Sequence, residues 1–142
     1  MSLENLLAIR RLIKLDATPD NIRKLLTAAE RNLADAKVTN ISVENRFDAA
    51  YKAIMQCAMA ALWAAGYRTS TSEPGHHQTA IQVLPLTLSV AADTVIVLDA
   101  LRKQRNLSDY SGDSISDATL RECLVQAENL LRLAKQKLLM GE

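Results

Sequence analysis

An all-helical domain is the fold class that this sequence predicts, and three observations carry the prediction. Apolar residues return every three or four positions through most of the chain. Four Gly and three Pro in 142 residues are too few to turn the chain as often as a β-sandwich or barrel requires. Ala, Leu, Arg, Lys and Gln, which lose little in a helix, abound. With 49% apolar and 23% charged residues the chain has the balance of one globular domain over 1–142, long enough to bury a core without metal or disulfide staples.

The elements follow in order. Leu3 to Leu15 puts Leu6, Ile9 and Ile13 on one face and Arg10, Arg11 and Lys14 on another, which reads as a short amphipathic helix. Thr18-Pro19-Asp20 supplies an N-cap, a first-turn proline and a first-turn acid, so a second helix begins near Pro19 and carries Ile22, Leu25, Leu26, Ala29 and Leu33 inward. Ser42 caps a third helix, whose stripe Phe47, Tyr51, Ile54, Ala58, Leu62 and Ala65 runs to Gly66 and marks it as central. Arg68 to Gly75 has no apolar period and reads as an exposed loop.

Helix resumes at His76 and breaks at Pro85, which has no amide hydrogen to donate. Leu86 to Leu101 is a dense apolar run, read as helix despite the β-branched Thr94-Val95-Ile96-Val97. Asn106 to Asp113 is polar, contains Gly112 and reads as a second loop. Ser116 and Asp117 open a last helix with Leu120, Leu124, Ala127, Leu131, Ala134 and Leu138 at four-three spacing. Three heptads are marginal as an isolated coiled coil, so this stripe is expected to pack within the molecule. The expected architecture is an up-and-down bundle of five or six helices, with the third and last as its spine.

Charge and motif patterns narrow the function. Seventeen basic residues stand against sixteen acidic ones, so no global field steers the chain onto nucleic acid and any such site must be local. GxSxG, HExxH, GxGxxG and GxxxxGK are absent, and the two histidines, His76 and His77, are adjacent rather than one helical turn apart. Cys57 and Cys123 lie in helical apolar patterns without a CxxC neighbour and read as core residues, so neither a metal nor a cofactor is expected. The most apolar stretch, Ala53 to Tyr67, is interrupted by Gln56 and falls short of the ~20 residues a membrane span needs. No leader pattern opens the chain, so a cytoplasmic protein without membrane contact is expected. Phe47, Tyr51, Trp63 and Tyr67 read as core rather than base-stacking platforms, with Tyr67 the candidate exception. The cations Arg10, Arg11, Lys14, Arg23, Lys24 and Arg31, scattered among Asp16, Asp20 and Glu30, read as a solvated face.

One cluster stands out: Arg102-Lys103-Gln104-Arg105-Asn106-Leu107-Ser108-Asp109-Tyr110, delivered by an apolar run. On a helix Arg102 and Arg105 share a side and can form a fork for phosphate oxygens. Asn106 can bond a base or sugar edge or cap a helix, and Tyr110 adds an aromatic face and a hydroxyl. The competing reading is that the cations answer the helix dipole and pair with Asp99 and Asp109.

At this stretch the chain resembles the HEPN superfamily, helical domains found in prokaryotic ribonuclease toxins and as partners of minimal nucleotidyltransferases. The resemblance rests on the RxxRNxxxY arrangement at Arg102, Arg105, Asn106 and Tyr110, set before a final long helix. It rests too on an Ala-rich third helix that carries Tyr51, ends in Leu62-Trp63-Ala64-Ala65-Gly66-Tyr67, and is followed by a polar loop and a His. It covers most of the chain from about Val43. It implies a HEPN-like bundle that homodimerises and cuts RNA without a metal, with Arg holding phosphate and the His of an RNxxxH motif moving a proton. Toxin–antitoxin or defence roles, with a cognate antitoxin or nucleotidyltransferase as partner, come with it. Carried over, Arg105 and Tyr110 are the catalytic candidates, and Arg102, Lys103, Arg105 and Asn106 the phosphate or nucleotide binders. The chain departs from the motif at Tyr110, which stands where the His is expected. An ordinary phenol, with a pKa near 10, is a poor base at neutral pH. Three readings remain: Tyr110 assists after activation by Arg102 or Arg105, His76 or His77 reaches the site as an accessory group, or the site binds RNA or nucleotide without cutting it, which ranks first. The alternative of another class is a non-catalytic helical interaction scaffold whose last helix docks a partner.

Overall fold

The computed structural model describes residues 1–72 and 74–139. Among them the order is helix α1 (Leu3–Ala8), strand β1 (Leu12–Lys14), helices α2 (Pro19–Ala36) and α3 (Val43–Ala64), strand β2 (Tyr67–Thr69), then helices α4 (His76–Gln82), α5 (Leu84–Thr87), α6 (Ala92–Ser111) and α7 (Asp117–Leu138). The core is helical, as the periodicity predicts, but the described helices number seven rather than five or six and a two-stranded sheet accompanies them.

Helix α3 organises the core. The Ser42 hydroxyl accepts the Asn45 N–H and fixes its start. Phe47, Ala50, Tyr51, Ile54, Cys57, Ala58, Ala61 and Leu62 are then buried on more than one side, with α2 and α7 as the principal neighbours. The run of Ala keeps those neighbours close, since interaxial distance is set by side-chain size at the contact. Helix α2 begins with the expected Pro19 turn and a reciprocal cap between Thr18 and Asn21, and buries Leu26, Ala29, Leu33 and Ala36. Helix α7, capped by Ser116, turns Leu120, Cys123, Ala127, Leu130, Leu131 and Ala134 into the same core, so its heptad-like stripe is spent inside the molecule. Cys57 and Cys123 are buried and free, with thiols pushed up to about 12 by burial and therefore unreactive.

Five local expectations are corrected. The first helix stops at Ala8 instead of running to Leu15; Arg10 turns the chain at φ 64, and Leu12–Lys14 pairs antiparallel with Tyr67–Thr69. The presumed loop after Gly66 therefore opens as a strand, reached through Gly66 at φ 96, a conformation that glycine adopts without steric cost. The α3 stripe ends at Leu62, and Ala65 is an exposed C-cap. The run after Pro85 is divided: α5 ends at Thr87, Leu88–Ala91 is not helical, and Lys137 Nζ donates to the Leu88 carbonyl at 2.9 Å across that gap. Finally, Asn106–Ser111 is the last part of α6 and not a loop. Gly112, at φ 70, ends the helix, with its own N–H donating to Ser108 and that of Asp113 to the Leu107 carbonyl. Glu44, in the first turn of α3, accepts the Ile115 N–H at 2.9 Å and ties the α6–α7 connection to the core.

Phe47 is fully buried on α3. Phe47→Ala is expected to lower unfolding free energy by about 3–5 kcal/mol, through lost transfer and the cavity left behind, as read from the midpoint of urea unfolding.

Candidate functional site

Because α6 continues past Asn106, the motif residues are arranged by helix geometry. Arg102, Asn106 and Tyr110 fall at successive steps of four on one face, with Arg105 beside them. Opposite, Gly75 turns at φ 80 into α4 and presents His76 and His77. The two segments enclose an open concavity of about 370 Å³ lined by Gly75, His76, His77, Gln78, Arg102, Arg105, Asn106 and Tyr110. All but one of the residues singled out in the sequence thus share one place. Lys103 does not line it; its ammonium lies 3.6 Å from Asp99 and is largely exposed.

Both ion pairs weighed against the phosphate clamp are present. Arg102 Nε donates to Asp99 Oδ1 at 2.8 Å, and Arg105 Nε lies 2.8 Å from Asp109 Oδ2. The Asp99 carboxyl is held below the usual carboxylate range, chiefly by the hydrogen bond from Arg102, against the opposing effect of its burial. These pairs use the inner nitrogen of each guanidinium. At the outer nitrogens, Arg105 Nη1 reaches Asn106 Oδ1 at a long 3.4 Å, and the others carry no hydrogen bond among the described residues. The carboxylates therefore orient the two forks and leave donors over at the concavity they line. Along this stretch of α6 three cations, Arg102, Lys103 and Arg105, are paired with two carboxylates, Asp99 and Asp109, and of the five only the two arginines line the concavity.

Tyr51, read from sequence as core, is buried but also reaches the site. Its hydroxyl lies 3.2 Å from His77 Nδ1, and the Arg105 guanidinium carbon sits 5.7 Å from its ring centroid, within cation–π range. Burial pushes the Tyr51 phenol up to about 12, outweighing the pull of Arg105 and Arg102. Burial also pushes His77 down to about 4, with His76, Arg105 and Arg102 adding in the same direction. Both side chains are neutral near pH 7. With the phenol assigned as donor, the imidazole proton sits on Nε2. The His76 ring meets that of His77 edge-on at 4.8 Å.

A second open concavity, about 500 Å³, was not legible as a site in the sequence. Leu25, Asp48, Tyr51, Lys52, Met55, Gln56 and Met59 line it, together with His77 and Arg105, which belong to both spaces and form the wall between them. Its sequence signal is the line Asp48, Lys52 and Gln56, polar residues one turn apart on the mostly apolar central helix. Among the other aromatics, Phe47 is core, while Trp63 and Tyr67 are half-buried.

The described residues contain no cluster of His, Cys, Asp and Glu able to hold a metal ion, and no helix long and apolar enough to cross a membrane. Scanned against protein-family models the chain matches none, and a search of curated proteins returns no match.

The His77 shift sets a pH window. The native state holds this ring neutral while the unfolded chain takes up a proton below its ordinary value of 6.5, so stability falls as pH is lowered from about 6.5 toward 4 and is unaffected by this group above that range. Urea unfolding across the window is expected to show this decline, reduced in His77→Gln, and NMR titration of the His77 ring to give a midpoint near 4.

Proposed function

We propose that this chain is a HEPN-like protein that binds the phosphate of RNA or a nucleotide at the Arg102–Arg105 concavity, with weak or absent ribonuclease activity. The observation that carries the reading is the shared concavity. Two segments distant in sequence, the start of α4 and the end of α6, bring both guanidiniums, Asn106, Tyr110 and the histidine pair to one open space. Guanidiniums oriented by carboxylates through Nε, with outer donors left over, suit bidentate recognition of a phosphate.

Binding rather than turnover is favoured by the proton-transfer groups. His77 and Tyr51, the two whose proton affinities are strongly moved, are both moved away from neutrality, to about 4 and about 12. A general acid or base works best with a pKa near the working pH. Tyr110, at 81% exposure, is free to lie against a base or ribose.

A homodimer is the assembly this reading expects, and α6 supports it. In a helix of 20 residues only Leu98 and Leu101 are buried, while Ile96, Leu107 and Tyr110 present large apolar surfaces to solvent at 68%, 44% and 81% exposure. Their spacing places them along one outward line with Ala100 and Lys103, which shares Tyr110 with the concavity. Pairing two copies along this line sets two phosphate sites side by side, in reach of one strand. Toxin–antitoxin or defence membership, with an antitoxin or nucleotidyltransferase as partner, is part of the same proposal. The scaffold alternative finds less support at the last helix, whose apolar residues are mostly turned into the core.

Two measurements test this. In fluorescence anisotropy with a short labelled single-stranded RNA, Arg105→Ala is expected to weaken binding about tenfold or more and to flatten the log–log salt dependence by ~0.7. Asp109→Asn, which removes the carboxylate at Arg105 Nε, is expected to strengthen it; unchanged affinity in Arg105→Ala would overturn the reading. Separately, Ile96→Glu combined with Leu107→Glu is expected to halve the mass in sedimentation while leaving the helical circular dichroism intact.

A further inference from the structure

His77 and Arg105 line two spaces, the phosphate concavity on one side and the groove along α3 on the other. In the groove, Leu25, Met55 and Met59 supply an apolar surface while Asp48, Lys52 and Gln56 supply polar groups of both kinds. We propose that this groove between α2 and α3 receives the base of a nucleotide whose phosphate rests on Arg102 and Arg105, so that the ligand is one nucleoside monophosphate unit straddling Arg105. The inference rests on the phosphate-binding reading above and narrows its ligand class.

Four features point to a base. Methionine side chains are polarizable and conform to flat rings. Gln56 has its Oε1 occupied by Asn32 Nδ2 at 2.7 Å, which leaves its own amide as a donor one turn from Lys52, a further donor, with Asp48 one turn beyond Lys52 as an acceptor. Base edges present donors and acceptors side by side and are read by such pairs. The volume of about 500 Å³ lies within the span of small-molecule sites, about 300–1,000 Å³. The wall is already built, because Arg105 is held from one side by Asp109 and rests over the Tyr51 ring. In keeping with an acceptor partly stripped of water, the Asp48 carboxyl is raised by desolvation and by Asp109, against the pull of Arg105. An acyl chain or apolar peptide would leave those polar groups facing hydrocarbon without partners, at a cost a base avoids.

The test compares AMP with ribose 5-phosphate on the intact chain carrying carbon-13 at its methionine methyls. AMP is expected to shift the Met55 and Met59 resonances and to bind at least about tenfold more tightly than ribose 5-phosphate, which leaves those methyls in place. Met59→Ala should remove most of that difference, while Arg105→Ala weakens both ligands. Equal affinities with unmoved methyls, alongside a retained Arg105→Ala effect, overturn the base groove and leave the phosphate site standing. Failure of AMP, ribose 5-phosphate and RNA alike overturns both. A 5′-phosphorylated oligoadenylate that produces the same methyl shifts and binds more tightly than AMP identifies the unit as the end of a strand; tighter AMP identifies a free nucleotide.

Discussion

Burial of α3 is the constraint on which the rest of the structure depends. A helix that hides Phe47, Tyr51, Ile54, Cys57 and Leu62 together must be covered from several directions, and α2 and α7 do most of the covering. What remains is left to shorter pieces: α4, α5 and α6 close the other side. That division of labour fixes where chemistry can reside. The long helices on either side of α3 turn most of their apolar stripes into the core, whereas α6 buries only Leu98 and Leu101 and keeps most of its length at the surface.

Tyr51 links the core to that work. It is packed against Phe47 with rings near parallel, centroids 6.4 Å apart, yet its hydroxyl meets His77 and its face meets Arg105. An arginine set over a buried ring and tied to a carboxylate has little freedom left, so its donors are preorganised and a ligand would find them in place. The same burial that rigidifies the wall holds its imidazole and phenol neutral, which suits recognition more than proton transfer.

Much of this was legible from residue order because it is local. Thr18-Pro19, Ser42 and Ser116 mark helix starts through hydrogen bonds made within three residues, and each start is found where those residues stand. What residue order leaves out depends on distant partners or on weak local signals. Leu12–Lys14 is a strand only because Tyr67–Thr69 arrives beside it, and nothing between residues 3 and 15 announces that neighbour. The stretch after Arg105 reads as loop because its residues are polar, but ion pairs one turn apart and a C-terminal glycine carry the helix on to Ser111. The Arg cluster itself was visible in sequence, as was its rivalry with Asp99 and Asp109. That the carboxylates and the concavity coexist, and that the histidines close its other side, could be seen only once α4 and α6 were set against each other.

The β1–β2 ladder carries a consequence for biosynthesis. Leu12, nearly fully covered, is paired with a residue more than fifty positions further on, so the amino-terminal segment gains its partner only after α2, α3 and the turn at Gly66 have left the ribosome. Until then its leucines are unsheltered. Loop closure over that span must precede any return from the contact, so the segment around Leu12 docks only after residues 67–69 are made, and a nascent chain stalled within α3 would offer chaperones a ready handle.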